Sequence, residues 1–195
     1  MRLLIMGAPG SGKGTQAAAV SERYHIPTIS TGDMFRAAVR SESPLGREVK
    51  ALLDSGSLVP DEITDAVVVA RLSEPDAAEG WILDGYPRTT NQVAALDTYL
   101  ATQGKQLDGV LLLDVPQEQL LERMLLRGQH EGRSDDNLET VTHRLAVYHE
   151  QTEPVISQYA PRGILHLIDG SGTIAETGAR IVAALDPLTV ADVDG

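Results

Sequence analysis

Five short apolar runs punctuate the chain, at Leu3–Met6, Ile26–Ser30, Trp81–Leu83, Val110–Val115 and Ile164–Ile168, each bounded by turn residues. The stretch "GVLLLDV" is the clearest, apolar at successive rather than alternate positions, as a strand covered on both faces must be. The segments between the runs repeat their apolar residues at helical spacing. "TQAAAVSERY" follows the first run, and Asp33 stands ahead of the helical pattern in "TGDMFRAAV". Asp61 precedes Ile63, Val67 and Val68, and Pro116 opens "PQEQLLERMLL". A longer helix is predicted from about Leu138 to Tyr159 on the spacing of Leu145, Tyr148 and Ile156, with Pro154 placed to bend it. Strands alternating with helices predict an α/β fold, a five-stranded parallel sheet with helices on both faces. The closing "LDPLTVADVDG" is acidic, holds a proline and predicts a frayed end. There is no internal repeat and no low-complexity linker, so the 195 residues are read as one domain with insertions.

Charge narrows the partners. The formal net charge is −12, which argues against a nucleic-acid binder and against adhesion to anionic lipid. Any phosphate site must therefore concentrate its positive charge against the global sign, and 13 of the 16 basic residues are arginines. With no cysteine there is no disulfide and no thiolate metal site. "MRLLIMGAPG" is too soon interrupted for a leader, and no apolar run approaches about 20 residues, so a soluble cytoplasmic protein is expected.

Three constellations carry candidate chemistry. In "MGAPGSGKGT", Gly7, Gly12 and Lys13 match the first seven positions of the phosphate-loop pattern, directly after a strand and before a helix. Glycines let backbone N–H groups turn inward around an anion, the helix N-terminus adds partial positive charge, and Lys13 adds a full one. The plainer alternative, a Gly-rich turn with a solvated lysine, fits that context poorly. Gly14 stands where the pattern puts a hydroxyl, so either Thr15 supplies it or a Mg²⁺ ion is held mainly by phosphates and water. In "WILDGYPRT", Asp84 ends a strand at the edge where ligands bind in open α/β sheets, and Arg88 follows a Gly-Tyr-Pro turn. In the third stretch Arg123 and Arg127 share a helix face, Arg133 sits in a Gly-flanked loop, and Arg144 lies on the next helix. Alone, that stretch reads as a solvated helix face; beside the loop it resembles a clamp on a transferring phosphoryl group.

Taken together, "GAPGSGKGT", "STGDMFR", "DGYPRT", "GRSDD" and "RLAVYHEQTEPVI" run almost the whole length of the chain in the order of the adenylate kinases, and the chain resembles that family of nucleoside monophosphate kinases in its short-lid form. Gly14 is the normal residue of this family's loop. The resemblance implies a three-layer P-loop NTPase fold with two mobile flaps: a core of residues 1–29, 60–125 and 138–195, a nucleotide-monophosphate flap at 30–59 and a lid at 126–137. It implies reversible transfer between MgATP and AMP by a monomer, with ADP as product and Mg²⁺ as cofactor. Gly10, Ser11, Gly12, Lys13, Gly14 and Thr15 would hold the ATP phosphates, joined by Arg123 and Arg127, with the backbone of Gly172 at the adenine. Thr31, Arg36, Ser57, Leu58, Val59, Gly85, Tyr86, Pro87, Arg88 and Gln92 would form the AMP pocket, with Arg133 and Arg144. Lys13, Arg88, Arg123, Arg133 and Arg144 would be catalytic, and Asp84 would reach Mg²⁺ through water.

A structural zinc in the lid is not expected, because His130 stands there without any cysteine. The uridylate/cytidylate kinases also have short lids, but they tend to carry alanine and asparagine where this chain has Thr31 and Thr89, so AMP is the expected acceptor. A nucleotide-binding module without catalysis would have lost Lys13, Arg88 or the lid arginines, and all are present.

Overall fold

Successive side chains of the central strand, β1 (Arg2–Met6), go to opposite layers of the molecule. Leu3 and Ile5 pack with Ala17, Val20, Ile181 and Leu185, whereas Leu4 and Met6 pack with Val68, Val93, Leu96 and Val155. This is why the strand runs read as unbroken apolar stretches: both faces are core. The structure is a computed structural model and describes residues 1–131 and 136–191. In chain order its elements are β1, α1 (Lys13–Tyr24), β2 (Thr28–Ser30), α2 (Thr31–Arg40), α3 (Pro44–Ser55), α4 (Asp61–Leu72), β3 (Trp81–Asp84) and α5 (Thr90–Thr102). Then follow β4 (Gly109–Asp114), α6 (Gln117–Glu131), α7 (Leu138–Val147), α8 (Glu153–Ile156), β5 (Leu165–Asp169) and α9 (Ile174–Ala191).

The five strands pair in the order β2-β3-β1-β4-β5, all parallel. Helices α1 and α9 cover one face; α4, α5 and α8 contribute to the other. The chain leaves β1 toward one side of the sheet and β4 toward the other, which opens a crevice at their carboxyl ends. The fold is the α/β, five-stranded parallel arrangement expected from the sequence. Among the described residues no helix is long and apolar enough to cross a membrane.

Several boundaries differ from the sequence reading, each for a local reason. β2 begins at Thr28, because Pro27 cannot donate to the ladder and His25 ends α1 at a left-handed φ of 54°. α2 starts at Thr31 rather than near Asp33, because Ser30 caps it, its hydroxyl accepting from the Asp33 N–H at 3.3 Å. The helix predicted to about Tyr159 is broken by a π turn at Tyr148–Thr152. Pro154 then sits in the first turn of α8, where its missing N–H is not needed. The chain from Leu185 to Ala191 is helical, not frayed: Leu185 is fully buried, and Asp186 accepts from the Tyr24 hydroxyl at 2.8 Å and pairs with Arg23. The last four residues, 192–195, lie outside the described part.

Three helices have no counterpart in the sequence prediction: α3, α5 and α9. The first two carry recognisable caps: Ser43 accepts from Gly46 N ahead of Pro44, and Thr89 accepts from Gln92 N. α2 and α3 cross so closely that a Cβ on Gly46 would fall 2.0 Å from the Ala38 carbonyl oxygen. Glycine-to-alanine within a helix ordinarily gains about 1 kcal/mol. Here the clash is with backbone, so Gly46→Ala is expected to lose about 2 kcal/mol net. Thermal unfolding decides the sign: a raised Tm would mean that the two helices part without cost.

Candidate active site

The loop between β1 and α1 lies at the carboxyl edge of the sheet. Gly12 has φ 92° and open space where a Cβ would be, so its glycine serves conformation alone. Gly10 combines φ 84° with close approach to α6, where a Cβ would meet the Leu120 carbonyl oxygen at 2.7 Å. Lys13 opens α1 and folds back over the loop, donating to the carbonyls of Gly7 at 2.8 Å and Ala8 at 2.9 Å. Its pKa is lowered to about 8. Desolvation dominates; the attraction of Asp84 opposes it, and repulsion from Arg88, Arg144 and Arg127 adds to it.

One cavity of about 430 Å³ opens off this loop. Lys13, Arg36, Arg88, Arg127 and Arg144 all reach its wall, together with Asp33 and Asp84. Asp84 ends β3 beside the start of α1, its Oδ2 3.7 Å from where a Cβ on Gly14 would lie, and Thr15 lines the same wall. Arg88 is held by its own turn: its Nε donates to the Gly85 carbonyl at 2.8 Å, and that carbonyl also accepts from Thr31 Oγ1 at 2.9 Å. Across the cavity, the Asp136 carboxylate is fully buried between two arginines. It accepts from Arg127 Nε at 2.6 Å and Nη2 at 2.8 Å, and from Arg144 Nη1 at 2.8 Å. Asp136 fixes the spread of the clamp, and the sequence reading did not single it out.

A smaller slot continues from the cavity between α2, α3 and α5. Phe35, Leu53, Leu58 and Val59 give it apolar walls; Thr31, Ser57 and Gln92 supply polar groups. Gln92 is 2% exposed. Its Oε1 accepts from Arg88 N at 2.7 Å and its Nε2 donates to Asp61 at 2.8 Å. Tyr86 is buried, its hydroxyl donating to Asp65 at 2.7 Å, and burial pushes its pKa well up. The end of α3 rests on α7: Thr140 Oγ1 donates to the Asp54 carbonyl at 3.4 Å, Ser57 Oγ lies 3.4 Å from His143 Nε2, and Gly56 packs on Arg144.

The structure does not bring all the anticipated residues to the cavity. The Arg123 guanidinium turns to Gln119 Oε1 at 3.0 Å and the Gly170 carbonyl at 3.2 Å, away from the wall. It shares a helix with Arg127 four residues on, but only Arg127 is drawn in, by Asp136. Ser11 is buried in the loop rather than on the wall. Gly172 lies beyond the cavity beside Glu176 and Arg180. α6 runs to Glu131, so the segment expected as lid from residue 126 begins as helix. Arg133 and the His130 side chain lie outside the described residues.

A glycine loop leading from a parallel strand into a helix, its lysine turned back over it and four arginines facing it, defines a protein with the P-loop NTPase fold. A family model described as adenylate kinase matches residues 5–164. Relatives named adenylate kinase include that of Pseudarthrobacter chlorophenolicus, 53% identical over 184 residues that cover 94% of this chain and 96% of the relative. That of Renibacterium salmoninarum is 49% identical over 190 residues, 97% and 98% of the two chains. That of Stenotrophomonas maltophilia is 49% identical over 185 residues, 95% and 99%. The chain belongs to the adenylate kinase family.

Proposed function

We propose that this protein reversibly transfers the terminal phosphoryl group of ATP to AMP, giving two molecules of ADP. The observation that carries this reading is the ring of Lys13, Arg36, Arg88, Arg127 and Arg144 around one cavity that runs from the phosphate loop into an apolar slot. In a chain of net charge −12, such a concentration suits two phosphate-bearing anions, one a triphosphate and one a monophosphate, facing each other.

In this reading the glycine loop and Lys13 hold the ATP phosphates, Arg127 and Arg144 approach them from α6 and α7, and Arg36 and Arg88 hold the AMP phosphate. The base of AMP lies in the slot between Phe35, Leu58 and Val59. The acceptor is already an oxyanion, so no general base is required, and none of the described cavity residues is a histidine. The remaining task is to bring like charges together in line and to neutralise charge spreading over the transferring group. Flap α2–α3 closing over the slot excludes water, which would otherwise compete as acceptor.

The oxygen donors Asp84 and Thr15 beside the loop fit Mg²⁺, which keeps several waters and binds largely through substrate phosphates. When bound, Mg²⁺ would neutralise and orient the ATP phosphates.

A coupled assay with Mg²⁺ and ATP, comparing AMP, UMP and CMP, tests the reading. ADP formation fastest with AMP supports it; a faster pyrimidine acceptor, or binding without turnover, would overturn it. Lys13 adds a pH signature. A bound phosphate favours the ammonium and raises its pKa from about 8, so nucleotide binding above that pH takes up a proton. Uptake approaching one proton is expected near pH 9 and none below about pH 7, with affinity falling as pH rises through 8. Calorimetry in buffers of different ionisation enthalpy measures it directly, and uptake independent of pH would exclude Lys13 as the group.

A further inference from the structure

Gln92 carries the only primary amide among the described residues lining the slot. An amide reads a base edge one way with its oxygen and the opposite way with its nitrogen, and half a turn about its last bond exchanges the two. In this protein both ends are pinned. Oε1 accepts from Arg88 N at 2.7 Å, and Nε2 donates to Asp61 Oδ1 at 2.8 Å. Asp61 Oδ2 also accepts from the Thr89 hydroxyl at 2.9 Å, while that hydroxyl oxygen accepts from Gln92 N at 3.2 Å. A turned amide would set its oxygen against the carboxylate and its NH₂ against a backbone N–H. Both contacts would be repulsive in a site where Gln92 is 2% exposed.

By count the pinned amide keeps one N–H and one oxygen lone pair. Those two positions complement a base edge that pairs an exocyclic amino donor with a ring-nitrogen acceptor. With the base held in that one orientation by its sugar and phosphate, an edge in which an exocyclic oxygen sits beside a ring N–H meets like with like. We propose that Asp61 is a specificity-determining positioning residue: by holding the Gln92 amide one way round, it makes the slot select a 6-amino purine over a 6-oxo purine. This rests on the nucleoside monophosphate reading of the slot. It also gives Thr89 a physical role, as a second contact of Asp61 and the cap of α5, with no contact to the base required.

Inosine monophosphate differs from AMP at just those two positions, so it is the probe. The measurement is kcat/KM for AMP and for inosine monophosphate, with ATP and Mg²⁺, in the unmodified chain and in Asp61→Asn. Asparagine offers both a donor and an acceptor, so the carboxylate that enforces one orientation is gone and only the Arg88 N–H still opposes a turned amide. The AMP preference is expected to fall by about tenfold or more, chiefly through the two KM values, with kcat for AMP changed by less than about threefold. Thr89→Val, in which Asp61 still accepts from Gln92, is expected to keep most of the preference while losing the cap and melting at lower temperature.

An unchanged preference in Asp61→Asn overturns the proposal, as does an equal loss in Thr89→Val, which would assign selectivity to the whole turn. Should Asp61→Asn not fold, Asp61→Thr, whose hydroxyl likewise donates or accepts, is read by the same ratio. Failure of the unmodified chain to form ADP from ATP and AMP would instead refute the function itself, so the two failures are distinct.

Discussion

Replacing Arg88 by alanine is expected to lower kcat by about a thousandfold, with the fold intact. Removal of one positioned donor to developing transition-state charge commonly costs about 10² to 10³ in rate, and removal of an arginine acting on a phosphoryl group costs about 10³ to 10⁵. Arg88 stands on the same wall as Lys13 and Arg144, and its Nε is fixed on the Gly85 carbonyl, so little ordering is needed when substrate arrives. The turn does not depend on the guanidinium, because Thr31 also binds the Gly85 carbonyl and Gln92 holds Arg88 through its backbone N–H. Arg88→Lys keeps the charge and loses the fork, and should recover only part of the rate. Steady-state kinetics beside a thermal melt separate the two effects. A variant that turns over normally removes Arg88 from the chemistry, and one that unfolds makes it a structural residue.

The second large effect is expected at Asp136. Its carboxylate is fully buried, while Arg127 and Arg144 remain 27% and 16% exposed. Breaking a buried pair by deleting one partner costs about 3 to 5 kcal/mol. The arginines here keep partial access to water, so Asp136→Ala is placed at the lower end, about 3 kcal/mol. Gly128 packs directly on Asp136, so the lost volume opens a gap between α6 and the start of α7. Urea unfolding measures the loss, and a cost below about 1 kcal/mol would show that the two arginines find other partners or water. Turnover should fall as well, since the spread of the clamp would no longer be set.

What was legible in the sequence was whatever is encoded locally. The loop from Gly7 to Lys13 carries its conformation in its own glycines, and the strand runs carry their burial in unbroken apolar stretches such as that of β4. The fold class followed from those runs together with the helical spacing of the segments between them. Asp136 lay inside a stretch quoted for its arginine, yet its role requires Arg127, nine residues back, and Arg144, eight ahead, to converge on it. No spacing rule states that convergence. Arg123 shows the converse: helical spacing put it on the same face as Arg127, and a carbonyl on the loop after β5 drew it elsewhere. The caps of α3 and α5 were readable at Ser43 and Thr89, as was the helical spacing of Val93, Leu96 and Leu100 in α5. The ordered end of α9 depends on Tyr24 and Arg23, more than 160 residues earlier.

The resting of α3 on α7 sets a thermodynamic relation between the two nucleotides. Gly56 bears on Arg144, Thr140 reaches the Asp54 carbonyl, and Asp136 ties Arg144 to Arg127. A single seam thus joins the wall of the slot to the wall of the cavity. An occupant that tightens the seam from one side lowers the work of tightening it from the other. Whatever factor ATP applies to the affinity for AMP, AMP must return to ATP in equal measure, and a substitution at Gly56 or Thr140 would change both by the same ratio.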